Sequence, residues 1–366
     1  MGLTLTDEQL DLRASIRKLL ADYSPAERVR AFVDGAADVG GRDELWTWLS
    51  KRVDLTGIGL PDKYGGTGSG LTELAVVLME TGRALTPSPY LASTALAGGA
   101  LVVIDDETAC AELLPGIASG GILAAFAPAS MGSAEPAAPV AGADGLSGTA
   151  PFVIDGALAD HIVVEVAGAA GRPEYHVVDG TAPGLVRTEL ISADPTRAVA
   201  RLEFTAVPSR RLVASDPTTV HSRVNDHAAF VLAAESLGGL LRCIEMTIEY
   251  AKLRVQFGRQ IGSFQAVKHQ LADLYTTGEL ATSLVLDACR AADNEPDAFP
   301  VAARAALAYC GTAYTQVARD TIQLHGGIGY TWEHDAHLYF KRANASRVLL
   351  GDPEHHEAVL ADLLGI

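Results

Sequence analysis

The sequence is short of positive charge. It has 28 Lys and Arg against 45 Asp and Glu, a formal net charge of −17 at pH 7. A surface of that sign repels polyphosphate backbones, which argues against nucleic-acid binding. Only 6 of the basic residues are Lys and 22 are Arg. An isolated Arg still holds a phosphate through two parallel hydrogen bonds. Cysteine is scarce too. Cys110, Cys243, Cys289 and Cys310 lie far apart with no CxxC pair. No zinc site is expected, and the four read as buried thiols in a reducing compartment. No uncharged apolar run of 18 residues marks a membrane span; residues 91–104 come nearest and are too short. The opening MGLTLTDEQLDLRASIRKLL has neither the basic nor the apolar region of a signal peptide. The expectation is a cytoplasmic chain with no membrane association and no metal.

What is present points to several packed regions. At 366 residues and 48% hydrophobic, the chain can bury two or three cores. Residues 1–115 read as helical. Thr6 and Gln9 have the spacing of a capping box, and further helices are expected over 42–51, 72–82 and 90–104. Residues 61–70, PDKYGGTGSG, form a loop. Over 116–215 the apolar period drops toward two. Short strands are expected at 122–126, 152–154, 161–166, 175–178 and 201–204, with turns at Asp155-Gly156, Asp179-Gly180 and Asp194-Pro195. Residues 216–366 are helical again, with long helices over 224–253, 264–293 and 300–325 and a shorter one ending near 350. The fold class is α+β multidomain: an N-terminal helical domain (1–115), a middle β-barrel (116–215) and a C-terminal four-helix bundle (216–366).

Two segments carry chemistry. RVQFGRQIGSFQAVK (254–268) lies between two long helices. Gly258 and Gly262 permit a sharp turn, and Arg254, Gln256, Arg259 and Gln265 supply hydrogen-bonding groups around it. Phe257, Ile261 and Phe264 are apolar, so a plain helix–helix corner anchored by Phe also fits. QLHGGIGYTWE (323–333) places Gly326, Gly327 and Gly329 after a helix. The spacing is not GxGxxG and no strand precedes it, which argues against a Rossmann site.

In this order and separation the two segments resemble the acyl-CoA dehydrogenase family of FAD enzymes. LTDEQLDLRASIRKLL, GIGLPDKYGGTG, ELAVVLMETGRALTPSPYLAS and DPTRAVARLEF extend the resemblance over nearly the whole chain. The family chemistry is α,β-dehydrogenation of a CoA thioester. A carboxylate removes the α-proton, the β-hydrogen leaves as hydride to the flavin, and hydrogen bonds polarise the thioester carbonyl. Electron-transfer flavoprotein is the implied electron acceptor. The resemblance implies that FAD crosses a subunit interface, its ADP half held by the neighbour's Arg-x-x-Phe-Gly corner and Gln-x-x-Gly-Gly turn. Here those contacts are Arg254, Gln256, Phe257, Gln323, Gly326 and Gly327, with Ile261 and Gln265 close by.

The same resemblance locates two departures. The usual base, a Glu 27 residues after the Gln, falls on Leu350. The alternative base position, 26 residues before the Arg, falls on Ala228. Neither side chain accepts a proton. The flavin-lining Thr-Glu-Pro…Gly-Ser-Asp run reads FAPASMGSAEPAAPVAGADG, where Ser130 and Ser133 are the remaining hydroxyls. The half of a site lent to a neighbour is present and the half used for its own chemistry is degraded. That combination resembles the base-lacking subunit of α2β2 acyl-CoA dehydrogenases, and implies a related chain as partner and a bulky acyl-CoA, such as a steroid side chain, as substrate. Two alternatives stay open: a self-sufficient homotetramer with a non-standard base, and a non-catalytic acyl-thioester-binding or scaffold protein. Asp226, Glu235, Glu333, Asp352 and Glu354 are the carboxylates near the vacant positions. Each also has a structural reading: Asp226 at the helix start, Glu235 in a buried hydrogen bond, Glu333 fixing the glycine turn. Residues 352–357 read as a solvated turn.

Overall fold

The computed structural model describes residues 4–36, 38–129, 138–168 and 172–366; Ser130 and Ser133 lie outside them. Helix α1 (Asp7–Tyr23) begins at the expected capping box, with Thr6 and Gln9 exchanging side-chain and backbone hydrogen bonds. Helices α2 (Ala26–Val33) and α3 (Glu44–Lys51) follow. α3 starts later than residue 42 because Asp43 caps it, accepting from the Trp46 amide. α4 (Leu71–Arg83) is nearly all buried. The apolar stretch after it winds first as a π-helix (Leu91–Gly98) and then as α5 (Gly99–Ile104). α6 (Glu107–Ala118) is capped by Asp106.

The middle region is one eight-stranded mixed sheet. Its strands are β1 (Ala124–Ala127), β2 (Val140–Gly142), β3 (Gly145–Ile154), β4 (His161–Ala167), β5 (Pro173–Asp179), β6 (Leu185–Glu189), β7 (Val199–Val207) and β8 (Arg210–Arg211). The path runs β6-β7-β3-β2-β4-β5-β8, and β1 joins β4 in parallel. β7 shows the alternation the sequence announces: Ala200, Leu202 and Phe204 point into a core shared with Val153, Ile162, Val164 and Val178.

The C-terminal region is built on α7 (Val220–Leu253). A short hairpin, β9 (Val255–Gln256) and β10 (Arg259–Gln260), leads into α8 (Gln265–Asn294), then α9 (Phe299–His325), α10 (Ala336–Ser346) and α11 (Pro353–Leu364). α7 is long and apolar enough by length and composition to cross a membrane, but 89% of its most apolar window is buried inside the fold. α4 and α9 clamp it. A Cβ on Gly238 would lie 1.8 Å from the Met79 carbonyl oxygen, and one on Gly239 would lie 2.2 Å from the Tyr314 hydroxyl. Only glycine permits that approach. The segment expected as a solvated turn at 352–357 is instead the start of α11. Asp352 caps it, Pro353 occupies its first turn, and His356 is buried against the Leu349 carbonyl.

Candidate functional site

The up–down–up order of α7, α8 and α9 places the ends of α7 and α9 and the start of α8 together. The connection after α7 is a two-residue hairpin, a more definite structure than a helix corner. Phe257 and Gly258 form its tip with φ of 52° and 74°. Positive φ at both tip residues is what a type I′ turn needs. A non-glycine residue there costs about 1 kcal/mol. Phe257 is 93% exposed, and its ring meets Phe264 edge-on at 6.2 Å between centroids. Phe257 therefore anchors nothing in its own core, whereas Ile261 and Phe264 are half-buried at the corner. The Arg259 guanidinium lies over Phe264. Ile261 is half-buried, and its amide donates to the Arg254 carbonyl. Arg254, Gln256 and Gln265 are exposed. The ion pairs nearby on α7 join Arg242 to Glu245 and Glu249 and leave Arg254 out.

At the end of α9, Gln323 is exposed and Gly326 breaks the helix with φ 64°. A Cβ on Gly326 or Gly327 would meet nothing within 4 Å, so this backbone faces open space. Tyr250, one turn before Arg254, stacks on His325 at 4.5 Å between ring centroids. That contact ties the two helix ends together. All eight residues singled out for cofactor contact, Arg254, Gln256, Phe257, Ile261, Gln265, Gln323, Gly326 and Gly327, therefore share one end of the bundle.

The two base positions lie elsewhere and are closed. Ala228 is 1% and Leu350 2% exposed. Leu350 sits in left-handed backbone (φ 60°) between α10 and α11. α7 runs without a break from Ala228 to Leu253. At 1.5 Å per residue, the 26 steps from Ala228 to Arg254 span about 39 Å. Arg254 thus stands far from its own chain's base position.

The neighbouring carboxylates have other occupations. Asp226 pairs with Arg304 at 2.8 Å, both buried, rather than capping its helix. Glu235 accepts from Arg197 at 2.6 Å and from Arg342 at 2.8 Å. Arg342 also holds Asp194 at 2.6 Å and the Thr196 carbonyl and hydroxyl. This network joins the loop before β7 to α7 and α10. Burial alone would push the Glu235 carboxyl up, but the two guanidiniums hold it below the usual range. Glu235 is thus a structural anion, as its buried hydrogen-bond reading anticipated. Asp352 is the α11 cap, while Glu333 and Glu354 are exposed.

Two carboxylates escaped the sequence reading. Asp155, read only as a turn residue, lines a cavity of about 520 Å³ with Arg197, Arg342 and Glu235. Its backbone is left-handed (φ 52°), and burial pushes its carboxyl up to about 7 against the pull of the two Arg. Glu165 on β4 is buried 3.6 Å from His221, and its range is also raised by burial. A turn-former and a strand Glu carry no sequence mark of burial. Among the described residues, no group of three or more His, Cys, Asp or Glu is arranged to hold a metal ion.

Comparison with known proteins agrees with this architecture. The acyl-CoA dehydrogenase N-terminal domain matches residues 6–121, and the acyl-CoA dehydrogenase C-terminal domain matches 219–364. Acyl-CoA dehydrogenase IpdE2 of Mycobacterium tuberculosis is 36% identical over 96% of this chain and 95% of its own length. A solved structure of a variant of the Tcur3481-Tcur3483 steroid ACAD is 31% identical, with a TM-score of 0.87 over 99% of both chains. The ChsE4-ChsE5 complex from Mycobacterium tuberculosis gives 27% identity and a TM-score of 0.88, covering 100% of this chain and 99% of that one. With both terminal family domains matched and a relative of this similarity aligned along nearly its full length, the chain belongs to the acyl-CoA dehydrogenase family of FAD-dependent oxidoreductases.

Proposed function

We propose that this chain lends the ADP-side half of an FAD site to a related acyl-CoA dehydrogenase chain, which supplies the catalytic carboxylate, in a heterotetramer. One observation carries the reading: the end of the bundle that holds Arg254 and the glycine turn is open, while Leu350 and Ala228 are apolar and buried. The residues present fit the group. Exposed Arg254 would offset pyrophosphate charge, Gln256, Gln265 and Gln323 would give directional hydrogen bonds, and Gly326 and Gly327 would admit phosphate or ribose against bare backbone. Phe257 and Ile261 would cover the apolar faces. FAD supplies the hydride acceptor for α,β-dehydrogenation. This chain's residues bind and orient it, and the proton is moved by the partner.

Two solved structures similar to this chain, a steroid ACAD and the ChsE4-ChsE5 complex, support a bulky CoA thioester as substrate and a related chain as partner; electron-transfer flavoprotein as acceptor belongs to the same proposal. The domain limits 1–115, 116–215 and 216–366 belong to the same proposal. A second reading, the self-sufficient homotetramer, is favoured by Asp155, a carboxyl of raised range in a cavity. Flavin absorbance and acyl-CoA oxidation of the purified chain, alone and after mixing with a related chain that has the Glu, separate the two. Stoichiometric flavin and turnover without a partner overturn the first reading. Colour and activity only in the mixture support it. No flavin in either state points to the scaffold alternative.

A further inference from the structure

Beneath the glycine turn lies a stack of rings that the cofactor reading does not use. Tyr250, His325 and His334 follow one another with centroids 4.5 Å and 4.3 Å apart. His325 is 2% exposed. Its Nδ1 lies 2.7 Å from the Thr321 carbonyl and donates to it, while Nε2 is buried with no partner. One ring nitrogen is thereby fixed as donor and the other as a bare acceptor, which is the neutral form. The Ala336 amide donates to His334 Nδ1 at 3.1 Å. The turn and residues 330–333 are the chain between these two histidines. Arg30 of α2 pins the far side, donating to the Trp332 carbonyl and pairing with Asp335 at 2.7 Å. His337, both of whose ring nitrogens are buried without partners, meets Trp332 at 4.4 Å, and Lys341 covers that indole.

We infer that His325 is a positioning residue for the cofactor half-site: its neutral ring, between Tyr250 and His334, holds the α7 end that carries Arg254 against the turn of Gly326 and Gly327. The identity of the bound group rests on the reading above; the positioning itself does not. The groups facing the stack are Arg242 from α7, Arg30 from α2, Lys341 and His337 from α10, and Asp335. Four of the five are cations or become cations in acid, so the stack tolerates a proton poorly. Burial is the main cause that lowers His325, His334 and His337 from the ordinary histidine range. At His325 the Thr321 carbonyl opposes it and His334 adds to it, while at His334 and His337 the Arg and Lys neighbours add to it against the pull of Asp335. The sign follows. The packed turn has its full stability above about pH 6.5, the unfolded histidine value, and loses it as pH falls toward the folded values.

Hydrogen exchange of the peptide over 321–336, corrected for intrinsic rates, tests this between about pH 7.5 and 5.5. In the full-length protein, protection of the turn should fall about tenfold over that range, with helix content unchanged. His325→Phe keeps the stack and removes its most buried titrating ring, so its protection should fall clearly less than that of wild type. If His325→Phe does not fold, His325→Gln, whose amide can still donate to the Thr321 carbonyl and which cannot titrate, carries the same expectation. An unchanged wild-type profile, or an equal fall in wild type and variant, overturns the inference. FAD retained by the flavin-loaded assembly on desalting should fall in step, and clearly less in the variant than in wild type. If the turn loosens as expected while wild type and Arg254→Ala both keep their FAD, the positioning role stands and the FAD reading falls.

Discussion

The two ends of α7 are built on opposite rules. Near Ala228 the buried charges are paired: Asp226 holds Arg304, and a little further along Glu235 holds Arg197 and Arg342. At Arg254 the polar groups are exposed, a Phe stands 93% uncovered, and bare glycine backbone faces outward. The first end is satisfied within one chain. The second leaves apolar and polar surface uncovered, as a surface that meets something else does. The difference separates the two halves: the positions where a self-contained enzyme would carry its base are core, and the surface proposed to meet a neighbour is open.

The comparison breaks most easily at the paired end. Arg342→Met should destabilise the fold by about 3–5 kcal/mol, because Asp194 and Glu235 stay buried with less compensation; a urea midpoint close to wild type would mean the network contributes little. Leu350→Glu should cost about 2–4 kcal/mol, for lost packing and a buried carboxyl. It should not create a dehydrogenase, and acyl-CoA oxidation by that variant alone would show that the position still faces a competent cavity. At the open end the pattern reverses. Arg254→Ala should leave the melting temperature where it is and lower FAD affinity about tenfold or more, the worth of a charge-assisted hydrogen bond. A melting temperature that drops while FAD stays bound would invert the assignment.

The smallest expected effect concerns Asp155. Its folded-state value is raised to about 7 from 3.8, so its contribution is complete below about pH 4 and is lost as pH rises through 7. Asp155→Asn removes the charge, and Asn accepts left-handed backbone. Melting curves should show the variant gaining on wild type as pH rises from about 4 to 8, by a few degrees. A variant less stable at the upper pH would mark Asp155 as an anion held by Arg197 and Arg342.

The helices of the bundle were readable because their apolar residues recur at a long, unbroken helical period, and α1 because its capping box is local. β2, β6 and β8 were missed: they are short and carry few buried residues to set a period of two. α11 was read as a turn because His356 sits among charges, and its burial under a neighbouring carbonyl is a contact across the chain. Among the site residues, a sharp turn near Gly258 and a helix break at the glycine cluster were readable from the residues; their shared role came from the family resemblance, and the hairpin from the folded chain. The fate of Glu235 was readable only in outline, since Arg197 and Arg342 lie 38 and 107 residues away.

Residue order settles what is local: caps, turns, the two glycine-bearing segments, and the absence of a carboxylate at 228 and 350. The folded chain settles what depends on long-range proximity. It joins Tyr250 to His325 so that two distant motifs share one end, packs Leu350 and Ala228 out of solvent, and raises or lowers a carboxyl according to whether a guanidinium reaches it. Charge and burial act over a few ångströms of space, and residues brought that close, as Arg30 and Trp332 are, can be separated by 302 positions of chain.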